Sequence, residues 1–170
     1  PYNMNRLIII GNGFDLAHGL KTSYKDFIYW YWKQRVTDLH DVMHNTSDDT
    51  LCNLEIIGAT WSSFYFQNNM YLNNADGKEL YYFLNNHKDA FIISNTPFFE
   101  NIHKALETKR WVDIENEYYK LLMRYALTKK SEEVAKLNLQ LEYIKEKLIE
   151  YLTQINAINI QPKTTIRTKI

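Results

Sequence analysis

The chain has 170 residues, 45% hydrophobic and 24% charged, which suits one domain with an apolar core and excludes a disordered polymer. Twenty basic against twenty acidic residues leave no formal net charge, so no global field draws the protein to nucleic acid or anionic membranes. Cys52 is the single cysteine, no secretory leader is legible at the N-terminus, and the longest apolar run is far shorter than the roughly 20 residues of a membrane helix, a pattern that reads as cytoplasmic with no membrane partner.

In chain order, Arg6-Leu7-Ile8-Ile9-Ile10 is an unbroken apolar run, the pattern of a strand covered on both faces in a parallel sheet. It runs into Gly11-Asn12-Gly13-Phe14-Asp15, a glycine loop leading to a helix start. Such a loop turns backbone N–H groups toward one point, and its glycines let a phosphate or ribose approach closely. The dinucleotide fingerprint G-x-G-x-x-G is incomplete, because Leu16 stands at its third glycine, and the ATPase loop is excluded by the lack of Gly-Lys-Ser or Gly-Lys-Thr. Asp15 repels phosphate but accepts hydrogen bonds from ribose hydroxyls, or caps the helix beside it; the two roles are compatible. His18 falls on the next turn, where its imidazole can face the pocket of Asp15, and Gly19 ends that turn in a left-handed conformation.

Ser23 and Asp26 have the spacing of a capping box, and Phe27, Ile28, Tyr31, Leu39 and Val42 predict a helix from about Tyr24. Its end holds His40-Asp41-Val42-Met43-His44, a variant of the zinc-protease pattern that lacks a third ligand; an exposed helix end is the better reading, and no metal is expected. The polar stretch from His44 to Asn53 reads as a loop. Beyond it, Leu54 to Phe66 and Glu79 to Leu84 read as aromatic-rich helices, Asn73 to Gly77 as a turn, and Ala90 to Ser94 as a short strand or part of a helix. The aromatic clusters of this region are read as core and interface packing.

Pro97 can open a helix, and the spacing of Ile102, Leu106, Ile114, Tyr118, Leu121, Leu122 and Tyr125 predicts one or two amphipathic helices. Ser131 caps a further helix, in which Val134, Leu137, Leu141, Ile144, Leu148, Tyr151 and Ile155 recur three and four apart, the seam of a bundle contact. Residues 156–170 are polar and strand-like. Taken together, the fold expected is α/β, mostly α by residue count: a Rossmann-like strand–loop–helix unit over residues 1–45, a helical portion over 54–155, and an irregular or strand-like tail. No second parallel strand follows, and a parallel strand needs a neighbour to bond its backbone, so residues 1–170 read as a single incomplete domain.

The stretch from Asn5 through Gly11-Asn12-Gly13-Phe14-Asp15-Leu16-Ala17-His18-Gly19 to Phe27 resembles the opening signature of the bacteriophage abortive infection AbiH family. Trp111-Val112-Asp113-Ile114-Glu115 resembles that family's later W-x-D-x-E element. The resemblance implies a bacterial defence in which an infected cell stops supporting phage, and a glycine loop similar to that of sirtuin-like NAD-binding proteins. It further implies a later-strand Asn and a His before a glycine acting on the bond between nicotinamide and ribose. No such groups stand beyond residue 125, so the chain resembles the N-terminal part of a longer protein.

The expected site therefore comprises Gly11, Asn12, Gly13, Phe14 and Asp15 as contacts to NAD or a related nucleotide. Asp15 and His18 are the candidate catalytic groups, and Trp111, Asp113 and Glu115 shape the pocket. The alternative is a non-enzymatic sensor whose aromatic surfaces and Val134–Ile155 seam bind a phage component or a second copy of the chain. A nuclease is disfavoured by the zero net charge and the lack of a metal-binding acidic cluster.

Overall fold

The computed structural model describes residues 19–42, 45–57, 74–109 and 113–156. Helix α1 (Tyr24–Val42) leads into strands β1 (Thr46–Asp48) and β2 (Cys52–Ile56). Helix α2 (Gly77–Asn86), strand β3 (Phe91–Asn95) and helices α3 (Pro97–Lys109), α4 (Ile114–Leu127) and α5 (Ser131–Asn156) follow. The protein is thus mostly helical with a small sheet.

Helix α1 starts where the capping signal lies: the Asp26 amide donates to the Ser23 hydroxyl oxygen at 3.2 Å. Its Phe27, Ile28, Tyr31, Trp32, Val36 and Leu39 are buried, and they recur three, four and five apart along one broad stripe. Each such side chain contributes about 1.5–3 kcal/mol of hydrophobic stabilisation on burial. Around α1 the other elements assemble, with contacts to α2, α5 and β1.

The loop expected from His44 to Asn53 is instead a β-hairpin, in which Ser47 pairs with Leu54 and β2 pairs in turn with β3, both antiparallel. Along β2, burial alternates, with Cys52, Leu54 and Ile56 inside. That period of two belongs to a strand, so Leu54–Ile56 are not the helix start expected of them. Asp49 closes the hairpin: its Oδ1 accepts from the amides of Leu51 (2.8 Å) and Cys52 (3.0 Å), the side-chain turn for which Asp is favoured.

The sheet of the described residues, in the order β1-β2-β3, is antiparallel throughout and contains no parallel pair of the kind expected of a Rossmann-like unit. The tight turn between β1 and β2 requires antiparallel neighbours, whereas β3 reaches β2 after a long connection that contains α2. The expected strand at Arg6–Ile10 lies outside the described residues, as do residues 58–66 and the tail from 157 onward.

The open alternative at Ala90–Ser94 resolves as the strand β3, whose Ile93 faces Leu54 in register. Pro97 opens α3, and Thr96 precedes it, its carbonyl receiving the Glu100 amide at 2.9 Å. The amphipathic spacing after Pro97 resolves as two helices, α3 and α4. In α5 the seam holds as a bundle contact: Leu137, Ile144, Tyr151 and Ile155 are buried, and the helix packs on α4 and α1. No helix of the described residues is long and apolar enough to cross a membrane.

Helix α2 begins at the expected turn, where Asp76 and Glu79 form a reciprocal capping box. Gly77 opens the helix directly against the backbone of α1. A methyl group there would run into the Tyr29 carbonyl and come within 3.2 Å of the Trp30 amide nitrogen. Gly77→Ala is therefore expected to push α2 off α1 at a cost of about 1–3 kcal/mol, and a thermal melt should fall by roughly 2–4 °C per kcal/mol. An unchanged melting temperature would show that the two backbones do not meet.

Candidate functional site

Of the expected site residues, Gly11, Asn12, Gly13, Phe14, Asp15, His18 and Trp111 lie outside the described residues. The structure describes the loop's exit and the acidic element. Gly19 carries φ 82°, the left-handed conformation expected of it, which residues with a Cβ rarely adopt. Five residues on, Tyr24 opens α1 and donates its hydroxyl to Glu115 Oε1 at 2.7 Å, across 91 residues of sequence. Burial and then this bond push the Tyr24 hydroxyl above its ordinary pKa, so it stays a donor.

Asp113 has a different task. It is the N-cap of α4, its Oδ1 accepting the Asn116 amide at 2.9 Å. Fixing that first turn aims Glu115 at Tyr24. A second tie comes from α5, where the Tyr151 hydroxyl donates to the Lys21 carbonyl at 2.5 Å. Helices α4 and α5 thus both grip the segment between Gly19 and Tyr24, and the W-x-D-x-E element meets the end of the glycine-loop stretch.

Two clusters lie outside the motifs. In one, buried Arg35 and Asp49 pair at 3.3 Å, and Asp49 Oδ2 also accepts from the hydroxyls of Tyr31 (2.8 Å) and Tyr143 (3.1 Å). Burial works against the Arg35 charge, but Asp49 and its neighbours outweigh it and raise the pKa further. Cys52 closes this cluster, its Sγ 3.2 Å from the Tyr31 hydroxyl, and burial pushes the thiol up to about 11. A thiol-specific reagent is expected to leave Cys52 unmodified in the native protein and to react fully in urea; rapid native labelling would contradict this burial.

In the other cluster His103, only 4% exposed, stacks on Tyr81 with centroids 5.0 Å apart and lies edge-on to Phe99 at 4.6 Å. Its Nε2 accepts from the Trp32 indole at 3.3 Å. Since an indole N–H only donates, the neutral imidazole carries its proton on Nδ1. His103 lines a small cavity of about 90 Å³ together with Asn95. Burial depresses its pKa to about 4. Neither cluster had a motif to announce it: Trp32 and His103 are 71 residues apart in sequence, and Tyr143 and Asp49 are 94 apart.

Among the described residues no three His, Cys, Asp or Glu side chains are grouped to hold a metal; the side chains of His40 and His44 lie outside that set. The fold and the Tyr24–Glu115 link define a mostly helical α/β protein in which α4 and α5 hold the segment between Gly19 and Tyr24. Compared with known families, the sequence matches bacteriophage abortive infection AbiH over residues 7–168, nearly its whole length, and the chain belongs to that family. Its role is accordingly in abortive infection of bacteriophage. No curated protein and no solved structure matches the chain.

Proposed function

We propose that this AbiH protein binds NAD or a related nucleotide at its glycine loop. Gly11, Asn12, Gly13 and Phe14 present backbone donors, and Asp15 receives the ribose hydroxyls. Asp15 and His18 face the reacting bond, while Asp113 and Glu115, with Trp111 before them, hold one wall. The observation that carries this reading is the 2.7 Å Tyr24–Glu115 hydrogen bond, which joins the two stretches that resemble the family's motifs. Two motifs far apart in sequence but tied in space serve one site more readily than two. In this reading residues 1–170, without the later-strand Asn and the His before a glycine that the resemblance implies, bind nucleotide without rapid turnover.

Titration of the protein with NAD tests it. The wild type is expected to bind, and Gly13→Ala or Asp15→Ala to weaken binding about tenfold or more, a loss of about 1.4 kcal/mol. Binding that neither substitution changes removes the loop from the site, and measurable NAD turnover by residues 1–170 would overturn the division of labour.

A second reading, an interaction module, has one observation in its favour. On α4, Tyr119, Met123 and Leu127 are 58%, 42% and 79% exposed and stand four residues apart on one face. If the wild type binds no nucleotide, while a charge at Met123 abolishes phage resistance without unfolding the protein, this reading replaces the first.

A further inference from the structure

Seven lysines of the described residues, Lys21, Lys25, Lys33, Lys78, Lys88, Lys129 and Lys130, form no ion pair with another described residue, and four of them share one groove. On α3, α4 and α5, Lys104, Lys120, Lys136, Lys145 and Lys147 each pair with a glutamate three or four residues away, at 2.6–3.4 Å. Lys21, Lys25, Lys33 and Lys78 form no ion pair among the described residues, yet all four line one groove of about 350 Å³ between α1 and the start of α2. Among the described residues a second cleft gathers Arg124, Lys129 and Lys130, but Glu132 and Glu133 line it too and leave an excess of one, so the groove at α1 holds the larger positive excess.

The two acids of the groove are already committed to helix starts. Asp26 accepts the Ser23 hydroxyl at 2.5 Å, and Asp76 accepts the Glu79 amide at 2.8 Å. The four lysines against these two carboxylates leave two positive charges in excess. The groove's other wall is aromatic. Trp30 and Tyr151 meet with centroids 5.4 Å apart, the Trp30 indole is anchored on Gln154 at 2.9 Å, and Lys25 lies 5.9 Å over the Tyr29 ring. Gly77 sets the groove's width, since its lack of a side chain lets the first turn of α2, with Lys78, meet the α1 backbone. At one end stands Lys21, two residues beyond Gly19 and held through its carbonyl by Tyr151.

Like charges gathered at a surface repel one another unless an anion joins them, and a cleft focuses their field. The volume lies within the roughly 300–1,000 Å³ of small-molecule sites, and flat rings beside cations suit a phosphorylated, ring-bearing ligand. The geometry points to this groove as the seat of the phosphate chain of a nucleotide. Lys21, Lys25, Lys33 and Lys78 neutralise the phosphates, and Tyr29 and Trp30 flank them. This assignment rests on the nucleotide reading above and divides its labour: the glycine loop takes the ribose, for which Asp15 is suited, and the groove takes the phosphates.

Calorimetric titration of the full chain with inorganic pyrophosphate, NAD and a short single-stranded oligothymidine tests it, with a thermal melt to show that each variant folds. The wild type is expected to bind pyrophosphate, more weakly as salt rises. Lys25→Ala/Lys33→Ala/Lys78→Ala should weaken both pyrophosphate and NAD at least tenfold, whereas Gly13→Ala should weaken NAD alone. No pyrophosphate binding by the wild type, or binding unchanged in the triple variant, overturns the groove; the nucleotide reading then stands or falls with NAD and Gly13→Ala. Lysine-dependent pyrophosphate binding without any NAD binding overturns the nucleotide reading and leaves an anion groove. Oligothymidine bound more tightly than NAD, and lost in the triple variant, overturns the assignment to a small free nucleotide.

Discussion

Asp49→Ala is expected to remove about 3–5 kcal/mol of folding stability, the range for breaking a buried ion pair on one side. One carboxylate does five things here. Its Oδ1 closes the β1–β2 hairpin through the amides of Leu51 and Cys52, and its Oδ2 accepts from Tyr31, Tyr143 and Arg35. The side chain of Arg35 is 6% exposed and retains after the substitution only one carboxylate partner, Asp38, at 3.8 Å and largely in water. A charge left nearly alone in the interior, and not the mere loss of a contact, dominates the cost. Asp49→Asn keeps the outline of the turn and should fall between the two. Against a typical total of about 5–15 kcal/mol, the alanine variant should show a much lower urea midpoint with an unchanged slope. A midpoint within error of the wild type would mean that the pair is not buried in solution.

Acidification should reach the protein through His103. Burial among Trp32, Tyr81 and Phe99 holds its pKa at about 4 in the folded state, against 6.5 when exposed. Between those values the unfolded chain binds the proton and the folded chain does not, so stability falls as pH falls. The loss begins near pH 6.5, is complete below pH 4, and amounts to about 3 kcal/mol at 1.36 kcal/mol per unit. Glu100, held low by its bond from Asn95, loses stability in the same direction but in a more acidic window. Comparison with His103→Gln isolates the imidazole, since glutamine offers Trp32 an acceptor but does not titrate. Denaturation measured from pH 7 to pH 4 should give a flatter profile for the variant; parallel profiles would place the His103 pKa near its ordinary value.

Both effects depend on residues that no local pattern marks, which explains what the sequence discloses and what it hides. The start of α1 at Ser23–Asp26, the opening of α3 at Pro97 and the seam from Leu137 to Ile155 were legible because capping, φ restriction and helical period act within a few residues. The β1–β2 hairpin was misread even though Cys52, Leu54 and Ile56 alternate with Asn53 and Glu55. The polar residues before Cys52 resemble an open loop until Asp49 is seen to close it, and the aromatic run after Ile56, outside the described residues, draws Leu54–Ile56 into a helical reading. The described strands pair antiparallel, while the strand for which a parallel neighbour was expected, Arg6–Ile10, lies outside the described residues.

The candidate site divides along the same line. The family-like stretches were legible as motifs, and Gly19 as a left-handed position, but the bond that ties Tyr24 to Glu115 spans 91 residues and no local pattern marks it. Asp113, expected as a pocket wall, serves first as the cap that starts α4. The lysine groove was invisible for another reason: Lys21, Lys25, Lys33 and Lys78 come from two helices and a turn, and a net charge of zero hides a local excess.

A crystal structure of the chain grown with saturating NAD bears most directly on the central claim that the glycine loop is a nucleotide site. The ribose is predicted against Gly11 to Asp15, with the phosphates directed toward Lys21 and Lys25. An unliganded loop at saturating NAD, or NAD seated away from residues 11–15, would contradict it.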